Sequence, residues 1–312
     1  MSTPHSPKPR PALVVALSSR ALFDFDADTE QFERERAALP SPPPWEDHFM
    51  EFQRQRLESS VPPGAAFALA SKLMRFNTPG QPPRVDVVVV SRNDPISGMR
   101  VFRSAQQRGL PLERGVFTRG QPPWPYLEAL GAHLFLSPLE ADVRAALQAG
   151  IPAARVFNDA ARETASPADE LRIAFDGDAV LFSDEAERIY QEGGLSAFTE
   201  NERSKAGVPL ADGPLKPLLQ ALHALRQMDC PLRVRMALVT ARGAPAHERA
   251  LNTLTQWGLA MDEAFFLAGL PKGPFLARFQ PDFFFDDQRG HIDSARSHAP
   301  VGHVLQGVSN PD

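Results

Sequence analysis

The stretch LRIAFDGDAVLFSD, residues 171–184, sets an apolar run against two acids. The run stops at Asp176, and a second carboxylate, Asp178, follows two positions on. A strand that ends this way puts both acids into the crevice at its C-terminal end, where open α/β sheets bind their ligands. One acid can serve as nucleophile and the other as proton donor, provided a divalent cation holds their repulsion in check. Asp and Gly are also ordinary turn residues, so the weight of this reading depends on what lies elsewhere in the chain.

Outward from this point the chain alternates strand-like and helical patterns. Apolar runs fall at 12–17, 85–90, 134–136, 172–175, 234–239 and 283–285; helical periodicity falls at 65–75, 139–149, 214–227, 245–257 and 274–279. Pro- and Gly-rich loops at 39–44 and 77–83 and a polar stretch at 159–169 punctuate them. Strand alternating with helix predicts an α/β fold with a doubly wound, mainly parallel sheet. The expected division is a disordered, proline-rich tail over 1–11, one half over 12–158, a linker over 159–170, and a second half over 171–312.

The two halves resemble each other. VVVVSRNDP (87–95) matches MALVTARGAP (236–245), and GVFTRGQPPWPYLEALGAHLFLSP (115–138) matches AFFLAGLPKGPFLARFQPDFFFDD (264–287). One offset relates Ser91 to Thr240 and Gly120 to Gly269; GAAFALASKL (64–73) against GPLKPLLQAL (213–222) keeps it. Self-similarity at a long fixed offset points to a duplicated domain. The chemistry is lopsided. Ser18 and Arg20 stand opposite Asp176 and Asp178, Pro123 opposite Lys272, and Ser137-Pro138 opposite Asp286-Asp287. The first half is expected to keep the fold and to lack the groups that hold a metal or attack phosphorus.

In the second half four elements form a set: Asp176-Gly177-Asp178; Thr240 at the end of VRMALVT, followed by Ala241-Arg242-Gly243; Lys272 in the tight GLPKGP loop; and Asp286-Asp287 directly after FFF. Three of them follow apolar strands, so they should converge on one sheet edge. The order D-x-D, Thr, Lys, D-D resembles the haloacid dehalogenase superfamily of phosphotransferases. The longer phrases FDGDAVLFSDEAERI, LADGPLKPLLQAL, LVTARG and FLAGLPKGPFL…FFFDDQ, with VALSSRALF and FLSPLEADVRAAL, resemble the cytosolic 5′-nucleotidase I family. The likeness covers nearly the whole chain and is weakest over 24–60.

That resemblance implies a Mg2+-dependent enzyme that hydrolyses nucleoside 5′-monophosphates, AMP first among them. Asp176 would be the nucleophile, and Asp178 the acid that protonates the leaving sugar oxygen and then activates water. Thr240 and Lys272 would steady the phosphoryl oxygens. The metal would be held by Asp176, Asp286 and Asp287, with the backbone carbonyl of Asp178 a further ligand. Family enzymes insert a small cap between the D-x-D strand and the Thr strand, and residues 185–212 fill that place. The segment is charged and helix-prone, with a break at Gly193-Gly194. Phe198 is a candidate to stack on a base or to anchor the cap. Lys205, Ala241 and Arg242 are candidates to meet phosphate or ribose. Alternatives are a phosphatase of another small phosphomonoester, transfer of the phosphoryl group to a nucleoside, and a catalytically silent binding or regulatory protein on the same fold.

Composition fits the enzymatic reading. The chain has 312 residues, 43% hydrophobic and 23% charged, enough for one large or two medium domains. A net charge of −5 argues against nucleic acid as a partner. A single cysteine, Cys230, leaves no internal disulfide and fits a cytoplasmic setting. No apolar run approaches a membrane span, and the first residues carry no apolar signal core. The first half is a candidate packing partner for the second and a candidate surface for homo-oligomers.

Overall fold

The computed structural model describes residues 10–158 and 166–311. Of the expected tail and linker, residues 1–9 and 159–165 lie outside the described residues. The strands are β1 (Leu13–Leu17), β2 (Val85–Ser91), β3 (Arg114–Phe117), β4 (Leu134–Ser137), β5 (Ala153–Val156), β6 (Glu170–Phe175), β7 (Arg233–Thr240), β8 (Glu263–Phe266), β9 (Phe283–Asp286) and β10 (Val301–His303). Among the described residues they form one ten-stranded sheet in the order β3-β2-β1-β4-β5-β10-β9-β6-β7-β8. Every pairing is parallel except β5 with β10, which meet antiparallel in the middle.

The inner strands are largely buried, with β1, β2, β4, β9 and β10 buried at every position. β2, VDVVVVS, is buried at every position, as a parallel strand flanked by crossover helices must be. Each fully buried Val, Leu or Phe contributes about 1.5–3 kcal/mol relative to exposure. A single apolar cluster runs through both halves, from Leu13, Leu69 and Leu73 to Ile173, Leu218 and Leu222. A buried ion pair also joins them: Lys72 Nζ lies 2.8 Å from Asp282 Oδ1, and Ser166 Oγ donates to the same oxygen at 2.6 Å.

The strand order is the same on each side of the central pair: β3-β2-β1-β4-β5 against β8-β7-β6-β9-β10. Backbone details recur too. Arg119 and Ala268 share a left-handed φ of 47°. Gly64 and Gly213 each press against the chain after the first strand of their half. A Cβ would come within 2.8 Å of the Ala21 carbonyl at Gly64, and within 2.4 Å of the Phe182 carbonyl at Gly213.

Between β1 and β2 the chain forms helices Asp26–Ala37 and Trp45–Gln55, which close around the fully buried Phe32 with Phe49 and Phe52. Between β6 and β7 it forms the long helix Glu185–Ser204, broken at Gly194, whose φ of 69° with ψ of −171° no helix accommodates. No helix of the described residues is long and apolar enough to cross a membrane.

Candidate active site

β6 lies between β7 and β9: the chain runs from β6 outward to β7 and β8 on one side and then crosses back to β9 on the other, and this reversal opens a crevice at the C-terminal ends of the strands. Asp176 is the first residue beyond β6, and its N–H donates to the Phe285 carbonyl at 2.8 Å. Thr240 is the last residue of β7, Asp286 the last of β9, and Asp287 the next. Lys272 sits just before helix Gly273–Phe279, whose early Pro274 fits a first helical turn. The sheet thus delivers side chains from four separate segments to one edge.

There they meet out of solvent. The Lys272 ammonium lies 2.7 Å from Asp176 Oδ1 and 2.6 Å from Asp286 Oδ2. Asp286 Oδ1 accepts from the Gln288 N–H at 2.8 Å and lies 3.2 Å from His291 Nδ1. The Asp287 carbonyl accepts from Asn310 Nδ2 at 2.7 Å and lies 2.8 Å from His303 Nε2, which orients the loop. Carboxylate oxygens of Asp176, Asp286 and Asp287 all fall within 4.8 Å of one another. Lys272 and Asp286 are fully buried, and Asp176 and Asp287 nearly so.

One ammonium does not balance three carboxylates, and the proton affinities register this. Burial, with the charges of Asp176 and Asp286 beside it, pushes Asp287 up to about 9. Burial and the nearby Asp286 and Asp178 raise Asp176 to about 6, against the pull of Lys272. Burial opposes the ionisation of Asp286 as well, yet Lys272 and His291 hold it below the usual carboxylate range. Lys272 stays charged: burial disfavours its ammonium, and Asp176 and Asp286 more than compensate. Asp287 Oδ1 is buried with no hydrogen-bond donor among the described residues. A buried orphan oxygen among clustered carboxylates fits the donor set of a hard divalent cation, which takes oxygen ligands.

Asp178 points away from this cluster. Its Oδ2 accepts from Arg242 Nε at 2.8 Å and its Oδ1 from Arg242 Nη2 at 2.6 Å. Thr240 Oγ1 accepts from the Arg242 N–H at 3.2 Å, shaping the turn after β7, and a Cβ on Gly177 would stand 3.4 Å from that hydroxyl. Beside Asp178 opens a cleft of about 530 Å³. Ala241, Arg242 and the following loop form one wall; Tyr190 and Phe198 of the long helix form another. Their rings meet edge to face at 6.3 Å.

Two of the expected substrate contacts take other partners. Lys205 does not line the cleft; its ammonium is drawn to Glu185, 2.9 Å away, at the other end of the long helix. Arg242 does line it, but its side chain is only 2% exposed and its guanidinium is turned onto the carboxylates of Asp178 and Glu202. Three residues not singled out in the sequence belong to the site's surroundings: His291, Tyr190 and Glu202. His291 follows the D-D pair by one helical turn, a spacing that was there to be read. Glu202 had no signal, since its partners lie far along the chain.

The chain belongs to the 5′-nucleotidase family, whose sequence profile matches residues 6–311. A curated relative from Homo sapiens, cytosolic 5′-nucleotidase 1B, is 37% identical over 310 residues, covering 95% of this chain and 49% of that protein. The chain thus spans about half the length of this relative. No solved structure gave a significant match.

Proposed function

We propose that the chain is a Mg2+-dependent 5′-nucleotidase that hydrolyses nucleoside 5′-monophosphates, AMP foremost, to nucleoside and phosphate. Family membership and the name of the human relative, a 5′-nucleotidase, support the reaction class. The observation that carries the mechanism is the buried group of Asp176, Asp286 and Asp287 around Lys272, with Asp287 Oδ1 given neither a hydrogen-bond donor nor a cation among the described residues.

Asp176 attacks phosphorus, forming an aspartyl-phosphate as the bond to the sugar oxygen breaks. Asp178 gives its proton to that oxygen, and the nucleoside leaves. Asp178, now a carboxylate, takes a proton from water, which attacks the aspartyl-phosphate and releases phosphate. Lys272 offsets charge on the nucleophile and the phosphoryl oxygens, and the Thr240 hydroxyl donates to one of them. Asp176, Asp286 and Asp287 would hold the cation, and the Asp178 carbonyl would be a further ligand. When bound, it supplies the positive charge that lets a dianionic phosphate approach a carboxylate.

In this reading residues 171–312 are the catalytic haloacid dehalogenase-like half. Residues 12–158 are a degenerate duplicate, for which the repeated strand order and the matched backbone at Gly64 and Gly213 speak. Residues 185–212 are a cap that shields the phosphoryl group from water. Tyr190 and Phe198 offer aromatic surface to a base. The human relative is named a cytosolic enzyme, which supports a cytoplasmic setting.

The test is a panel of nucleoside 5′-monophosphates, sugar phosphates and nucleoside acceptors, assayed with Mg2+ and with chelator. Metal-dependent phosphate release, with kcat/KM highest on a nucleoside monophosphate, supports the reading. A sugar phosphate ranking first, or no turnover at all, overturns it.

A further inference from the structure

Arg242 is buried and engaged on two sides. Toward the site, Nε and Nη2 form a two-point fork onto Asp178. Toward the long helix Glu185–Ser204, Nη1 donates to Glu202, a carboxylate with no solvent exposure at all. The Phe198 ring lies under the guanidinium, 5.6 Å from its centre. Phe198 and Glu202 are four residues apart and so share one helix face, and that face seats Arg242. Glu202 is held in turn by Arg249 of helix His247–Gln256 at 2.8 Å, and Arg249 Nε donates to the Val208 carbonyl at 2.9 Å. A line of buried charge runs from Arg249 through Glu202 to Arg242 and ends on the partly exposed Asp178.

We propose that Arg242 is a positioning residue for Asp178, set in place by Glu202, so that seating of the 185–204 helix fixes the carboxylate used in proton transfer. The inference rests on the reading of Asp178 as the acid and base of a phosphomonoesterase. A lone Asp after a Gly turns freely about its side-chain bonds, and a planar fork with two parallel N–H donors holds one orientation. That fork is useful only if it is itself immobile, and a fully buried carboxylate on its far side supplies the immobility. If the helix lifts away, Arg242 loses Glu202 and Phe198 together, and Asp178 loses its fixed bearing. Chemistry is thereby coupled to the closed arrangement of the segment that walls the cleft. Arg242 acts through Asp178 and not on the substrate.

The experiment is a double-mutant cycle with a readout that separates positioning from general damage. Arg242→Met, Arg242→Lys, Glu202→Gln, Asp178→Asn and the Arg242→Met/Asp178→Asn pair are assayed on AMP with Mg2+, and on p-nitrophenyl phosphate in rapid mixing. Arg242→Met should lower kcat on AMP by about 10²-fold, the lower end of what proton transfer supplies, with KM within about threefold of the parent. Glu202→Gln should lower kcat in the same way but less, and Arg242→Lys should recover part of the loss. The p-nitrophenolate burst, whose leaving group needs no proton, should survive in Arg242→Met while steady turnover falls. The pair should be no slower than Asp178→Asn alone, since a residue acting through Asp178 adds nothing once Asp178 is gone.

A raised KM with unchanged kcat would make Arg242 a substrate contact and overturn the inference. So would additive losses in the pair, or full activity in Glu202→Gln and Arg242→Lys, the variants to rely on if the Met variant does not fold. A parent protein without activity on any nucleoside monophosphate, or an Asp178→Asn variant with full turnover, would instead sink the reading on which the inference rests.

Discussion

The Lys272 ammonium stands 2.7 Å from Asp176 Oδ1, with both side chains closed off from solvent. This contact brings a loop after β8 onto the end of β6. Lys272→Met keeps the length of the side chain and removes the charge. It leaves Asp176, Asp286 and Asp287 facing one another, and breaking a buried pair this way costs about 3–5 kcal/mol. In thermal melts the variant should unfold well below the parent in chelator, with much of the gap closed by Mg2+. In activity assays it should lose about 10²–10³-fold in kcat. A variant as stable and active as the parent would mean that the ammonium balances nothing.

The raised carboxylates give the metal-free protein a pH signature. Asp176, raised to about 6, and Asp287, raised to about 9, hold protons in the fold that the unfolded chain has released. Their contribution to stability is present below the ordinary carboxylate range near pH 4 and is lost as pH rises through those two values. Without metal, the melting temperature should therefore fall between about pH 5 and pH 9, and Asp287→Asn should flatten the upper part of that slope. Cation binding requires these carboxylates ionised, so the stabilisation by Mg2+ should grow across the same interval. A Mg2+ shift that shrinks as pH rises would count against the three acids as ligands.

Tyr190 is 47% exposed and edges Phe198 over the cleft. A base stacked there is worth about 1–3 kcal/mol, so Tyr190→Ala should raise KM for AMP by roughly tenfold. KM for ribose 5-phosphate, which has no base, should stay within a factor of two or so. Equal effects on both substrates would remove the base from this wall.

The apolar cluster is continuous from Leu13 through Ile173 to Leu222, and β5 closes against β10. Residues 166–312 expressed alone would expose that surface and an open strand edge. The fragment should be insoluble or inactive under assay conditions where the full chain turns over. A soluble, active fragment would show that the first half is dispensable.

How much of this could be read beforehand follows from how each part is built. β2, β6, β7 and β9 are mostly buried, so their sequences are nearly unbroken apolar runs, and the acids and Thr240 could be placed by where those runs end, while Lys272 was marked by its tight Gly/Pro loop. β3 and β8 lie at the two edges of the sheet; RGVF and EAFF are partly exposed and carry no such run. β5 and β10 are short, and β10 holds Gly302, where a Cβ would meet the Phe285 ring at 2.8 Å. The line from Asp178 through Arg242 and Glu202 to Arg249 was invisible for another reason. Its members come from the β6 end, the β7 loop and two helices, and no local spacing marks a contact made only by tertiary packing. Arg242 and Lys205 both read as cations near a phosphate. Only the fold distinguishes a buried guanidinium turned onto Asp178 from an ammonium paired with Glu185.

In the proposed mechanism Asp176 carries the phosphoryl group between the two half-reactions. The direct measurement is to quench the protein during turnover of AMP with Mg2+, reduce it with borohydride, which converts an aspartyl-phosphate to homoserine, and map the peptides by mass. Homoserine is expected at position 176, and none when AMP is omitted. Homoserine at another aspartate, or none in a preparation that is turning over, would contradict it.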